Sequence, residues 1–258
     1  MWENPVKAKL RCGEPVVGAT LTTPSLDIAA RLAAAGFDFL WADMEHSPIT
    51  LESFRHIVLA TRGLPGVPLA RIPTAEMWVA KRVLDAGAFG VVFPFVSTRE
   101  LAERAVASCR YPPIGRRGSG AGLAVTTWPD PAAYFDSADQ NVLVVAMIEE
   151  IDAVRQADEI AATPGLDVLF VGTGDLSFSL GLRGDMEHPK VDEAVEEVAR
   201  AARPHNVFVG RPASTAEQIK RFADRGYLFF QTASELALLD TAARELLSPL
   251  RATSQNPF

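Results

Sequence analysis

Eight short apolar runs recur along this chain, each followed by a longer stretch with an amphipathic helical pattern. A run that is apolar at nearly every position suits a strand buried on both faces. Strands that alternate with helices pair in parallel through right-handed crossovers. The strands are expected at residues 16–21, 37–42, 67–72, 89–95, 142–148, 166–171, 207–209 and 227–230. The helices are expected at 25–35, 51–62, 74–86, 98–109, 152–162, 191–202, 216–225 and 234–247. Thr74 reads as a helix cap, and Gly36 and Gly87 as helix stops. Eight β–α units in 258 residues match an α/β fold, a closed (β/α)8 or TIM barrel. No linker interrupts the pattern, so residues 1–258 are expected to form a single barrel domain. An open doubly wound sheet competes, but its GxGxxG phosphate fingerprint is missing from the first βα turn, Thr22 to Ser25.

Residues 110–141 carry no clear element and are rich in Gly, Pro, Arg and Thr. A loop of that length is usually functional or disordered. Within it, Arg116 and Arg117 read either as a cover or carboxylate clamp for the active site or as a basic surface turn. The loop is expected to emerge on the catalytic face.

Composition narrows the partners. The formal net charge is -7 and no Lys/Arg-rich run stands out, so nucleic acid and anionic membrane are poor partners. Two cysteines, neither in a CxxC pair, give no disulfide framework. The N-terminus has no apolar leader, and the apolar run 142–148 is too short to span a bilayer. A soluble cytoplasmic protein is expected.

Barrel chemistry sits at the C-terminal ends of the strands, and the polar residues there form the candidate site. Glu149 and Asp175 follow consecutive strands, 26 positions apart (175 − 149). Two acids that close repel unless a cation lies between them, and carboxylates suit hard cations. The plainer reading makes Asp175 a helix N-cap. Asp43, Glu45 and His46 follow the second strand, where a carboxylate-held His can act as a general base or remain a solvent-facing loop residue. Arg71 ends the third strand before Pro73; it suits an oxyanion or a loop acid equally. Gly172, Thr173 and Gly174 could present backbone N–H groups to an anion or form a tight turn with no ligand.

These segments together resemble one family. Trp41-Ala42-Asp43-Met44-Glu45-His46-Ser47-Pro48, Ala70-Arg71-Ile72-Pro73, Gly87 to Pro94, Arg110 to Gly118, Met147-Ile148-Glu149 and Phe170 to Ser177 resemble, in order, the motifs of the HpcH/HpaI aldolases. These are divalent-metal-dependent class II pyruvate aldolases on TIM barrels. The resemblance implies Glu149 and Asp175 as ligands of Mg²⁺, Mn²⁺ or Co²⁺. It implies Arg71 on the pyruvyl group, and His46, oriented by Asp43, in proton transfer. It implies Gly172, Thr173 and Gly174 binding the substrate carboxylate. The activity implied is cleavage of 4-hydroxy-2-oxo acids to pyruvate and an aldehyde through a metal-stabilised enolate, or the reverse addition. A homohexamer that exchanges its last helix between subunits is implied as well. Two alternatives stay open: an acyl-CoA carbon–carbon lyase resembling the citrate lyase β-chain, and a barrel that binds a metabolite without turnover.

Overall fold

The computed structural model describes residues 2–253; Met1 and residues 254–258 of the expected domain lie outside them. The strands are β1 (Val16–Leu21), β2 (Phe39–Asp43), β3 (Val67–Arg71), β4 (Gly90–Phe93), β5 (Leu143–Ile148), β6 (Val168–Val171), β7 (Phe208–Pro212) and β8 (Phe229–Ser234). They pair in parallel in chain order, and β8 returns to β1. The expected (β/α)8 barrel is therefore the fold, and its closure excludes the open sheet. Among the described residues no helix is long and apolar enough to cross a membrane.

The barrel interior holds a cluster of aromatic rings at its centre. Phe39 stacks on Phe229 with ring centroids 4.4 Å apart, and Trp41 lies 4.9 Å from Phe170. Space inside a closed barrel is fixed, so large side chains on some strands require small ones on others. A Cβ built on Gly18 would fall 2.0 Å from the Phe39 ring, and one on Gly210 would fall 2.4 Å from the Phe229 carbonyl oxygen and 3.0 Å from Phe170 Cδ2. Gly18 makes room for the ring of β2, and Gly210 for the β8 backbone at Phe229 and the ring of β6.

Several expected boundaries move, each for a local reason. The helix expected from Thr74 begins at Met77, with Glu76 at the N-cap and no side-chain capping bond. Pro73 removes a ladder donor at the end of β3, and the chain crosses the rim before coiling. The helix expected at 152–162 is two short ones, Ile151–Arg155 and Ala157–Ala161, hinged at Gln156. An unforeseen first helix, Pro5–Arg11, has Asn4 as its cap and proline at its first position, a pairing that does mark helix starts.

The largest correction concerns residues 110–141. They contain two helices, Gly122–Thr127 and Tyr134–Asn141, and lie at the opposite end from the barrel mouth. The segment follows a helix, and such helices return the chain to the N-terminal end of the strands. Arg110 accordingly donates to the carbonyls of Val142 (3.1 Å) and Gly165 (3.0 Å), just ahead of β5 and β6. Arg117 is buried there, bound to Asp85 (3.1 Å) and the Tyr134 hydroxyl (2.8 Å) and stacked 4.7 Å from the Tyr111 centroid. Within this chain it is held between Asp85, Tyr111 and Tyr134 and does not line the mouth cavity.

Replacing Gly18 with Ala should destabilise the protein by about 1–3 kcal/mol through overpacking. Gly122→Ala, where an added Cβ meets nothing within 4 Å, should stay within about 0.5 kcal/mol. Urea unfolding of both variants checks this, and equal midpoints would contradict the packing argument.

Candidate active site

Strand register assembles the site. Asp43 on β2 is the Cα partner of Arg71 on β3. Asp43 Oδ1 accepts from Arg71 Nε at 3.0 Å and Oδ2 from Nη2 at 2.7 Å. This forked pair fixes the guanidinium plane. Asp43 also accepts the backbone N–H groups of Glu45 (3.0 Å) and His46 (3.1 Å). Burial pushes the Asp43 pKa up, but the Arg71 hydrogen bonds and charge, with those two N–H groups, hold it below the usual carboxylate range. Arg71 Nη1 lies 3.3 Å from Glu45 Oε2, and its guanidinium carbon lies 5.8 Å from the Trp41 ring centroid.

The His46 ring is placed differently from expectation. Asp43 holds the backbone of His46, and the ring approaches Glu45 instead, with Nε2 at 3.7 Å from Oε2. The ring is mostly solvent-exposed, whereas the Glu45 side chain is almost covered. Burial raises the Glu45 pKa, opposed by Arg71 and His46. Glu45, which the sequence placed in this group without a role of its own, couples the arginine to the histidine. Its position between Asp43 and His46 in the sequence was the available signal.

Across the mouth, Ile148 and Val171 are register partners, which brings the residues after β5 and β6 side by side. Glu149 is 1% exposed, and its Oε1 accepts the Phe95 backbone N–H at 2.8 Å. Phe95 adopts a left-handed conformation (φ 49°), a feature that pattern reading missed. Gly172 serves by lacking a side chain: a Cβ there would sit 2.8 Å from Glu149 Oε2. Its N–H donates to the Ile148 carbonyl at 3.1 Å, so it is not free for a substrate carboxylate as expected. Gly172 is also the N-cap of the helix Thr173–Ser179. Asp175 is therefore the third residue of that helix and not its cap. The N–H groups of Thr173 and Gly174 open the helix, where no intrahelical acceptor exists.

Glu149, Asp175, Arg71, Gly172, Thr173 and Gly174 line one cavity of about 230 Å³, with Trp41, Met147 and Phe170 as its apolar wall. Asp43 and His46 are not among its lining residues, and Asp43 reaches it through Arg71. Burial, with the nearby charges of Glu45 and Asp175, pushes the Glu149 pKa up to about 7 against the pull of the Phe95 N–H. Neither Glu149 nor Asp175 has a cationic partner among the described residues. A buried carboxylate in that condition fits a cation. Among the described residues no third acid, Cys or His joins the pair in a metal-binding cluster, so a cation here would complete its shell with water and substrate.

An arginine pinned by a neighbouring strand, facing acids that lack a counter-ion, equips a barrel enzyme for chemistry on an oxyanion. Comparison with known proteins specifies the class further. The HpcH/HpaI aldolase/citrate lyase family model matches residues 21–242. A 5-keto-4-deoxy-D-glucarate aldolase of Shigella boydii is 34% identical, with 95% of this chain and 96% of that protein covered. The crystal structure of an HpcH/HpaI aldolase/citrate lyase family protein from Burkholderia cenocepacia superposes with a TM-score of 0.88 at 34% identity, covering 96% of this chain and 99% of the other. An HpcH/HpaI aldolase from Desulfitobacterium hafniense gives 0.89 at 31% identity, covering 97% of each chain. The chain belongs to the HpcH/HpaI aldolase/citrate lyase family and is a carbon–carbon lyase. Aldolases of this kind generally depend on a divalent metal.

A cation held at Glu149 would compete with a proton for the ionised carboxylate. Affinity for Mn²⁺ should therefore be full above pH 7 and fall as pH drops below it, by about tenfold per unit. Glu149→Gln should weaken binding and flatten that dependence. Calorimetric titration from pH 5.5 to 8 reads both; a wild-type affinity independent of pH would contradict the assignment.

Proposed function

We propose that this protein is a divalent-metal-dependent pyruvate aldolase that cleaves 4-hydroxy-2-oxo acids to pyruvate and an aldehyde and runs the reverse addition. The observation that carries the reading is Arg71, locked by Asp43 and turned to the same cavity as the unpaired acids Glu149 and Asp175. Glu149 and Asp175 are the metal ligands in this reading, for Mg²⁺, Mn²⁺ or Co²⁺. When bound, that cation supplies Lewis acidity to the 2-oxo group.

The chain's own residues do the rest. The N–H groups of Thr173 and Gly174 bind the substrate carboxylate. Arg71 donates to the oxygen that becomes negative as the C3–C4 bond breaks. Because Asp43 holds the guanidinium beforehand, little reorganisation is needed at that moment. The C4 hydroxyl proton leaves towards His46, with Glu45 beside its ring. The C3–C4 electron pair passes to the pyruvate fragment as an enolate, and the aldehyde departs. Protonation at C3 then releases pyruvate. Aldolases that work through a Schiff base need a lysine at the site. None of the eight strands carries one, and Lys81 lies in the helix Met77–Asp85.

The alternatives find less support. Arg71 is the one cation among the residues lining the mouth cavity, a poor match to the phosphates of CoA. A non-catalytic barrel would have no use for a preorganised arginine beside two unpaired acids. The expected single domain and cytoplasmic setting belong to the same reading. The last helix, Glu235–Thr253, exposes Leu236, Leu239 and Leu246, which supports its exchange between subunits of a homohexamer.

Exhaustive EDTA treatment should abolish pyruvate release from a 4-hydroxy-2-oxo acid, and Mg²⁺ or Mn²⁺ should restore it. Activity that survives chelation would reject the metal role. Arg71→Ala should lower kcat by about 10²–10³-fold, the usual loss for an oxyanion donor, with circular dichroism unchanged. Wild-type turnover in that variant would reject the oxyanion role.

A further inference from the structure

The end of β4 departs from a regular ladder at one place. The Leu143 N–H donates to the Phe89 carbonyl at 3.0 Å, and Phe93 is the register partner of Ala146. In a parallel pair such bonds recur at every second residue. Regular continuation would therefore send the Phe95 N–H to the Met147 carbonyl. Val96 takes that acceptor instead, at 3.1 Å, so the chain carries one extra residue here. Such a bulge is rare between parallel strands and frequent beside active sites. It turns the Phe95 N–H away from the sheet and onto Glu149 Oε1, at 2.8 Å.

Phe95 carries the bulge in its left-handed conformation (φ 49°). That region is unfavourable for a bulky L residue and is ordinarily left to glycine. Packing offsets little of the strain, because Phe95 is 44% exposed. What holds the turn is its ties to the exit of β5: Phe95 on Glu149, Val96 on Met147, and the Ser97 hydroxyl on Glu150 Oε2 at 2.5 Å. An observed outlier of this kind points to a functional constraint.

The constraint falls on the Glu149 carboxylate. The last torsion of a glutamate is broad and would let the two oxygens exchange places. Here Oε1 is fixed by the Phe95 N–H, and Oε2 lies where a Cβ on Gly172 would come within 2.8 Å. Oε2 makes no hydrogen bond among the described residues, and Glu149 lines the mouth cavity with Asp175.

We propose that Phe95 is a positioning residue for the cation: its left-handed backbone holds Glu149 Oε1, so that Oε2 is already aimed when the ion arrives. The proposal rests on the metal-dependent aldolase reading and adds to it the element that orders the buried ligand. Position 95 acts through its backbone, and it requires an N–H and a left-handed conformation rather than an aromatic ring.

Calorimetric Mn²⁺ titration at pH 8 tests this on wild type, Phe95→Gly and Phe95→Val. Both variants lose the ring and keep the N–H. Glycine enters the left-handed region freely, whereas β-branched valine resists it. Phe95→Gly should bind within about threefold of wild type and Phe95→Val about tenfold or more weakly, the weight of one charge-assisted hydrogen bond. Replacing the amide at residue 95 by an ester, through incorporation of phenyllactic acid, removes the N–H alone and should weaken binding as much as valine does. Urea midpoints of all forms check that the barrel is intact. Equal affinities in the glycine and valine variants would overturn the role of Phe95, as would wild-type affinity in the ester. Either result leaves the metal reading standing. A wild-type protein that binds no Mn²⁺ removes the metal reading and the positioning role with it.

Discussion

Closing eight parallel strands leaves no free edge, but it also fixes the volume enclosed and the height at which each strand ends. Both consequences run through the molecule. The fixed volume sets Phe39, Trp41, Phe170 and Phe229 against Gly18 and Gly210, because a closed wall cannot give way to an extra carbon. The fixed heights place Asp43 level with Arg71, and Ile148 level with Val171. A slip of one residue between β2 and β3 would separate the fork and turn the other face of the slipped strand inward.

Electrostatics at the mouth divides into two halves of opposite character. On the β2–β3 side the acid is satisfied: Asp43 has two arginine hydrogen bonds and two backbone N–H groups. On the β5–β6 side the acid is not: Glu149 has one N–H group, deep burial and the neighbouring charge of Asp175. The first half is rigid and needs nothing added. The second is costly as it stands and suited to a cation. A preorganised donor opposite a place for a Lewis acid is a coherent arrangement for polarising one small oxygen-rich molecule between them.

Much of this was legible along the chain, for identifiable reasons. Apolar runs and helical periodicity are local, and they gave the barrel and the order of its elements. Asp43, Arg71, Glu149 and Asp175 stood out because charge directly after a buried strand is costly without a purpose. Other features depended on distant neighbours. Residues 110–141 looked like a mouth loop, yet their position after a helix sends them to the other end, where Arg117 meets Asp85 and Tyr134. Gly172 looked like an anion donor, yet the β5–β6 ladder takes its N–H. His46 looked bound to Asp43 by spacing, yet its ring turns to Glu45.

By itself, then, the sequence determined which residues lie at strand ends, because alternation and burial are properties of short segments. Only the tertiary structure decided which of those residues share a cavity, which N–H groups remain free and which carboxylate lacks a partner. Those are pairings between elements far apart in the chain, set by register and closure. The acids Glu149 and Asp175 were visible as a pair from their spacing alone. That one is buried beside Phe95 and the other exposed on a helix's first turn emerged only once β5 and β6 lay side by side.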